Sequence, residues 1–259
     1  MNAPDHHPID LRLPELLRSG RPLRGVFNGL PSPAIVEMCA YAGFDFILLD
    51  NEHGSAGLEC TEHLLRAARA SGIPAIVRCL EHDMARTLDL GASAVQIPMV
   101  ETAAHARALV QRIKYPTRGL PGQRGAAFST RAAGYGAFGG TGHTQRSNDG
   151  VALIVMIETE LGVANAAEIA AVEGVDAVFV GPNDLAHSMG VDNRWNEPAV
   201  QAAIESALRA IDAAGACPGI LALTVEEEAR YATWGARYFA SNTAGILMAA
   251  LREAATRGR

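Results

Sequence analysis

The run Ala152-Leu-Ile-Val-Met-Ile157, the stretch from Ala164 to Val172 and the run Ala177-Val-Phe-Val180 read as one strand, helix, strand unit. The two outer runs are short and apolar throughout, as a strand buried on both faces of a parallel sheet requires, and the middle stretch has helical spacing. Each strand then delivers an acid. Glu158 follows Ile157 at once, and Asp184 follows Val180 through Gly181-Pro182-Asn183. An acid at the carboxyl end of such a strand is either a helix N-cap or a site residue. Both readings stand for Asp184, which precedes Leu185-Ala186-His187. Glu158 reads as a site residue, because it stands right at a strand end and a second strand end supplies its partner. Two such acids with few basic residues nearby suggest a divalent cation held by oxygen ligands.

The same alternation extends in both directions. Apolar runs at Gly25 to Phe27, Phe44 to Leu49, Ala75 to Val77, Ala94 to Ile97, Gly219 to Leu221 and Tyr238 to Ala240 bring the strands to eight. Ser32 to Ala42, Leu58 to Ser71, Ala103 to Ile113, Glu197 to Ala214 and Val225 to Thr233 have helical periodicity between them. Gly43, Gly72, Gly91, Gly174, Gly215 and Gly235 read as helix stops. Strand and helix repeated eight times predict a single-domain (β/α)8 TIM barrel, for which 259 residues and 49% hydrophobic content suffice. An open doubly wound sheet is the competing architecture, but no G-x-G-x-x-G follows the first strand. Residues 1–23 are read as an N-terminal segment with a first helix, and 24–259 as the barrel.

Between Tyr115 and Gly150 the regularity fails: Pro116 to Gly125 is rich in Gly and Pro, and Gly134, Gly136, Gly139, Gly140 and Gly142 follow. This 115–150 loop is either a disordered insertion or a lid or subunit-contact loop over the barrel mouth. A formal charge of -6 and the absence of a Lys/Arg cluster argue against nucleic acid as a partner. Cys39, Cys60, Cys79 and Cys217 have no C-x-x-C spacing and read as reduced, mostly buried thiols, which fits a cytoplasmic protein. No apolar run reaches about 18 residues, and Met1 to Pro8 has no leader pattern, so no membrane partner is expected.

A barrel of this kind builds its site from carboxyl-terminal strand ends. Those ends carry Asn28, Asp50-Asn51-Glu52-His53, Arg78, Gln96 with Pro98, Glu158, and Asn183 with Asp184, while strands seven and eight end in Ala222-Leu-Thr224 and Ser241-Asn-Thr243. His53 alone would be a satisfied loop histidine; beside Asp50, Arg78, Glu158 and Asp184 it becomes a candidate proton-transfer group. Arg78 is either a salt-bridge partner of Glu52 or Asp50, or a guanidinium fork for a carboxylate or enolate oxygen. His6, His7, His63, His82, His105 and His143 are read as solvated, and His187 is left open.

The strings Leu49-Asp50-Asn-Glu-His53-Gly, Val77-Arg78, Gly91 to Val100, Tyr115-Pro, Gln123-Arg-Gly125, Ile157-Glu158-Thr and Val175 to Gly190 together resemble the HpcH/HpaI aldolase family, over nearly the whole chain. The resemblance implies a metal-dependent class II pyruvate aldolase, such as a 4-hydroxy-2-oxoheptanedioate or 2-dehydro-3-deoxyglucarate aldolase. It implies reversible cleavage of 4-hydroxy-2-oxo acids to pyruvate and an aldehyde through a metal-bound enolate, on Mg2+, Mn2+ or Co2+. Glu158 and Asp184 would be the metal ligands, Arg78 would bind the 2-oxo oxygen, and His53 with Asp50 would form the acid/base apparatus. Asp89 would support His53, from a neighbouring subunit if need be. Gly181, Pro182, Asn183 and Asp184 would receive the pyruvate carboxylate, since a helix N-terminus suits an anion. A homo-oligomer, trimer or hexamer, is expected. The expanded Tyr115 to Gly125 segment, and Met156 where some members have Gln, bear on the aldehyde. An oxaloacetate decarboxylase or a citramalyl/malyl-type lyase on the same scaffold is one alternative, and a non-catalytic metal or ligand-binding barrel another. Lys114, the only lysine, lies off the strand ends, so no Schiff base is called for.

Overall fold

In the computed structural model, which describes residues 6–257, all eight expected strands form. The five N-terminal residues, and with them most of the stretch read for a leader, lie outside the described residues, as do 258 and 259. A first helix α1 (Leu13–Arg18) precedes β1 (Leu23–Asn28), and then α2 (Pro33–Tyr41), β2 (Phe46–Asp50), α3 (Leu58–Ser71), β3 (Ala75–Arg78), α4 (Met84–Asp89), β4 (Ala94–Ile97) and α5 (Ala103–Ile113) follow. After α6 (Thr141–Gly150) come β5 (Ala152–Ile157), the short α7 (Glu160–Ala164) and α8 (Ala166–Ala170), β6 (Ala177–Val180) and α9 (Pro182–Ser188). The chain ends with α10 (Pro198–Ala214), β7 (Cys217–Leu221), α11 (Val225–Thr233), β8 (Tyr238–Asn242) and α12 (Thr243–Thr256). Each strand pairs in parallel with the next, and β8 closes on β1. The six helix-stop glycines all have positive φ. None of the described helices is long and apolar enough to cross a membrane.

Side chains alternate across a strand, so each strand of the closed barrel supplies one set to the interior and one to the helices. Leu23, Phe46, Leu48, Ile76, Ala94, Ala152, Ile154, Met156, Ala177, Phe179, Cys217, Tyr238 and Ala240 fill the interior, while Ile47, Leu49, Val77, Val95, Leu153, Val155, Val178 and Val180 pack outward. Leu13 and Leu17 of α1 join the interior cluster and close its amino-terminal end. The mid-barrel layer holds Phe46 and Tyr238 with ring centroids 4.7 Å apart, and Gly25 and Gly219 make room for them.

The 115–150 segment corrects the lid reading for its own barrel. It follows α5, which runs from the mouth back to the amino-terminal face, so it packs on the face opposite the mouth. The Asn148 side chain accepts from Tyr115 N and donates to Tyr115 O, Arg131 Nη1 donates to Leu90 O, and Gly150 packs on Leu11. Its helix α6 has almost no apolar periodicity; buried His143, Ser147 and Asn148 tie it down through polar contacts instead. His143 is therefore not solvated. It is fully buried against Tyr115, and burial, then the charge of Arg124, push its pKa down to about 4.

A Cβ at position 219 would clash with Tyr238 Cδ1 and lie 2.9 Å from Phe179 Cδ2. Gly219→Ala is expected to destabilise the fold by about 1–3 kcal/mol, the usual cost of overpacking, read as a lower urea midpoint.

Candidate active site

The pocket at the barrel mouth is the last inward layer of the strands. Its lining includes Phe27, Asp50, Arg78, Leu221 and Asn242 from the ends of β1, β2, β3, β7 and β8, with Met156 and Phe179 from β5 and β6. Glu158 and Gly181 continue the inward parity of β5 and β6, and Pro182, Asn183 and Asp184 open α9 beside them. The cavity measures about 120 Å³. Of the residues singled out in the sequence, the structure brings Asp50, Arg78, Glu158, Gly181, Pro182, Asn183 and Asp184 to this one pocket. Among the described residues, no group of three or more His, Cys, Asp or Glu side chains could hold a metal.

Glu158 is the acidic pole. It is 3% exposed, and its Oε2 accepts from Met99 N at 2.8 Å. Burial raises its pKa, and Asp184 and Glu52 raise it further against the opposing Met99 hydrogen bond and Arg78 charge, to about 7. A carboxylate so placed has less positive charge around it than its desolvation calls for, which is the condition a bound cation relieves. Two oxygen-donor side chains are also what Mg2+ or Mn2+ accepts, the remaining positions being left to water and substrate.

Arg78 is the basic pole, and its contacts show the salt-bridge reading with Asp50 and Glu52. Its Nε and Nη2 donate to Asp50 Oδ1 and Oδ2 at 2.9 and 2.7 Å, and Nη1 lies 3.3 Å from Glu52 Oε2. Its Cζ sits 4.8 Å over the Phe27 ring, on the pocket wall. Burial alone would raise the Asp50 pKa, but the Arg78 hydrogen bonds and charge, with the Glu52 and His53 amides, hold it below the usual carboxylate range.

This pairing changes the reading of Asp50. Both its oxygens serve Arg78, and Oδ1 also accepts from the backbone N–H of His53 and Glu52, so no Asp50–His53 side-chain dyad forms. The His53 side chain is 65% exposed, with Nε2 3.8 Å from Glu52 Oε2. Asp89 lies at the far end of α4, paired with Arg124 of the 115–150 segment at 3.1 Å, on the face opposite the pocket. His187 bonds to Asn193 and stays out of the pocket. Asn28 turns outward and bonds to Leu30 O, and Gln96 sits one layer below the mouth, accepting from Tyr238 Oη. Asn242 belongs to the strand-eight end read from the sequence, and Phe27 and Leu221 are legible by counting by twos along each strand, which turns them inward with the layer below. Glu52 is readable as an Arg78 partner at the strand-two end, whereas Met99, which reaches Glu158 through its backbone, carries no such signal.

A family model described as HpcH/HpaI aldolase/citrate lyase matches residues 23–249. A hydroxypyruvate/pyruvate aldolase of Delftia acidovorans is 40% identical over 242 residues, 92% of this chain and 87% of the relative. A 4-hydroxy-2-oxo-heptane-1,7-dioate aldolase of Salmonella arizonae is 36% identical over 243 residues, covering 93% and 91%. The crystal structure of an HpcH/HpaI aldolase/citrate lyase family protein from Burkholderia cenocepacia superposes with a TM-score of 0.88 at 34% identity, covering 93% of this chain and 96% of that one.

The raised pKa of Glu158 has a consequence for stability. The folded, metal-free protein keeps this proton up to about pH 7, whereas the unfolded chain releases it near 4.5. Native protein thus binds the extra proton, and stability falls as pH rises through that window, by up to about 3 kcal/mol. Urea unfolding of EDTA-treated protein between about pH 5 and pH 8 should show this decline, and Glu158→Gln should remove it.

Proposed function

The chain belongs to the HpcH/HpaI aldolase/citrate lyase family, and from that premise we propose how its site works. The protein is a carbon–carbon lyase that cleaves 4-hydroxy-2-oxo acids to pyruvate and an aldehyde, and runs the reverse condensation. One observation carries the assignment of roles: a cavity of pyruvate size with a desolvated, under-compensated carboxylate at one pole and a guanidinium at the other.

In our reading Glu158 and Asp184 hold a divalent ion, Mg2+, Mn2+ or Co2+, which when bound polarises the substrate carbonyl as a Lewis acid. The first-turn amides of Asn183 and Asp184, which a helix leaves without internal partners, receive the substrate carboxylate together with the turn at Gly181 and Pro182. The remaining protons of Arg78 face the 2-oxo oxygen. As the C3–C4 bond breaks, its electron pair moves toward that oxygen, and Arg78 stabilises the developing charge. His53 takes the proton from the C4 hydroxyl, the aldehyde leaves, and a proton returned to C3 completes pyruvate. Asp50 acts through Arg78 and through the loop that carries His53. The aldehyde sits against Phe27, Met156 and Leu221. Arg78, the only cation in the lining, is already engaged by two acids, which favours a short uncharged aldehyde over an acidic one.

We also read the protein as a cytoplasmic homo-oligomer, a trimer or a hexamer. Asp89 is tied to the opposite face of its own chain, so it can support His53 only across a subunit boundary. Ile246, Met248 and Leu251 of α12 are exposed beside Met38 and Tyr41 of α2, an apolar surface of the sort that subunits cover.

Pyruvate release from 4-hydroxy-2-oxo acids should require Mn2+ or a related ion and stop in EDTA, and should exceed release from oxaloacetate. Glu158→Gln should weaken Mn2+ binding by at least about 100-fold, beyond what outer-shell changes cause. Full turnover in metal-stripped protein would refute the ion assignment, and faster oxaloacetate turnover would reassign the enzyme as a decarboxylase. His53→Ala should slow cleavage by about 10²–10⁴-fold while leaving Mn2+ affinity intact; cleavage at the parent rate would remove it from the mechanism. Sedimentation should give a trimer or larger, and an active monomer would contradict the assembly.

A further inference from the structure

Met99 is one of three non-glycine residues with positive φ among the described residues, at 58°. It stands just past the carboxyl end of β4, after Pro98, where the chain leaves the ladder and then rejoins it through Val100 N donating to Met156 O at 2.9 Å. Left-handed backbone is disfavoured for a side chain with a Cβ and persists where the surroundings impose it, most often at functional sites. The Met99 side chain explains nothing here: it is 50% exposed and lines no part of the pocket. Its backbone does, because the left-handed turn directs the Met99 N–H at Glu158 Oε2.

The other oxygen is set by a missing atom. A Cβ on Gly181 would lie 2.7 Å from both Glu158 Oε1 and Cγ, so the carboxylate occupies the space where a side chain would be. One oxygen is fixed by a donor and the other by a vacancy across the strand gap, and between them they leave a single orientation for the carboxylate. We propose that Met99 is a positioning residue, whose left-handed backbone, together with the bare Cα of Gly181, orients Glu158 to ligate a divalent cation. The inference rests on the assignment of Glu158 as an ion ligand.

The test is a conformational series at one position, read as Mn2+ affinity of apo protein by calorimetry, with urea unfolding alongside. Met99→Gly and Met99→Asn, which tolerate left-handed backbone, should keep the Mn2+ Kd within about twofold of the parent. Met99→Val, β-branched and averse to that region, should weaken Mn2+ by about 10–100-fold, the scale of losing an outer-shell partner. Gly181→Ala should do the same. Met99→Val binding Mn2+ like the parent would overturn the inference. So would Met99→Asn and Met99→Gly, folded by their urea midpoints, losing as much affinity as Val. Glu158→Gln separates the two levels: if it leaves Mn2+ affinity unchanged, the ion assignment itself fails. If Glu158→Gln abolishes binding while Met99→Val does not, only the positioning role falls.

Discussion

Closing eight parallel strands into a barrel forces every carboxyl end to one rim and fixes, by the two-residue period of a strand, which side chain at that rim points inward. The site here is a direct result of that constraint. Phe27, Asp50, Arg78, Leu221 and Asn242 come from five strands spread from one end of the sequence to the other, yet all line the same pocket at this rim. The layer below is filled by Phe46, Phe179 and Tyr238, for which Gly25 and Gly219 provide the space. The pocket therefore has a packed apolar floor, and polar groups at its rim meet a low-dielectric wall on one side and the open mouth on the other.

On such a floor charge cannot be placed freely. Four acids, Asp50, Glu52, Glu158 and Asp184, share the rim with one lining guanidinium, and Arg78 is shared by two of them. The arrangement is asymmetric: Asp50 is paired and held ionised, while Glu158 is left with a backbone N–H and a neighbouring acid, and its proton is held to about pH 7. A site evenly neutralised by its own side chains would have little to gain from a cation. The surplus of negative charge at Glu158, maintained by the fold, is what suits this pole to a divalent cation.

Much of this was legible in the sequence. The strands announce themselves as unbroken apolar runs because a two-sided parallel strand has no polar face, and the helices between them end on glycines that adopt the expected left-handed conformation. The acids at the ends of β5 and β6 stood out against those runs. What could not be read there depends on partners distant in the chain. Helix α6 lacks an apolar stripe and is stabilised by polar contacts with Tyr115 and Arg124, so its composition pointed to loop, and His143 looked exposed when it is buried. The 115–150 segment looked free to reach the mouth because its Gly-rich composition does not reveal that it leaves α5 at the other face.

The pairing of Asp50 with Arg78 was open in the sequence, and its consequence lies in what it prevents. Arg78 is near enough to Glu158 for their charges to interact, and an unrestrained guanidinium would turn its fork to the stronger unpaired carboxylate. A direct Arg78–Glu158 bridge would satisfy both groups and abolish the acidic pole. Asp50 blocks that collapse by taking the Nε and Nη2 edge in bidentate contact, while Phe27 supports the face of the guanidinium. Asp50 thereby keeps two opposite charges apart across a small cavity. That separation leaves the cavity with an acidic pole and a fixed guanidinium donor at opposite sides. Asp50, an acid that is fully paired, is thus as much a condition of the acidic pole as Glu158 itself.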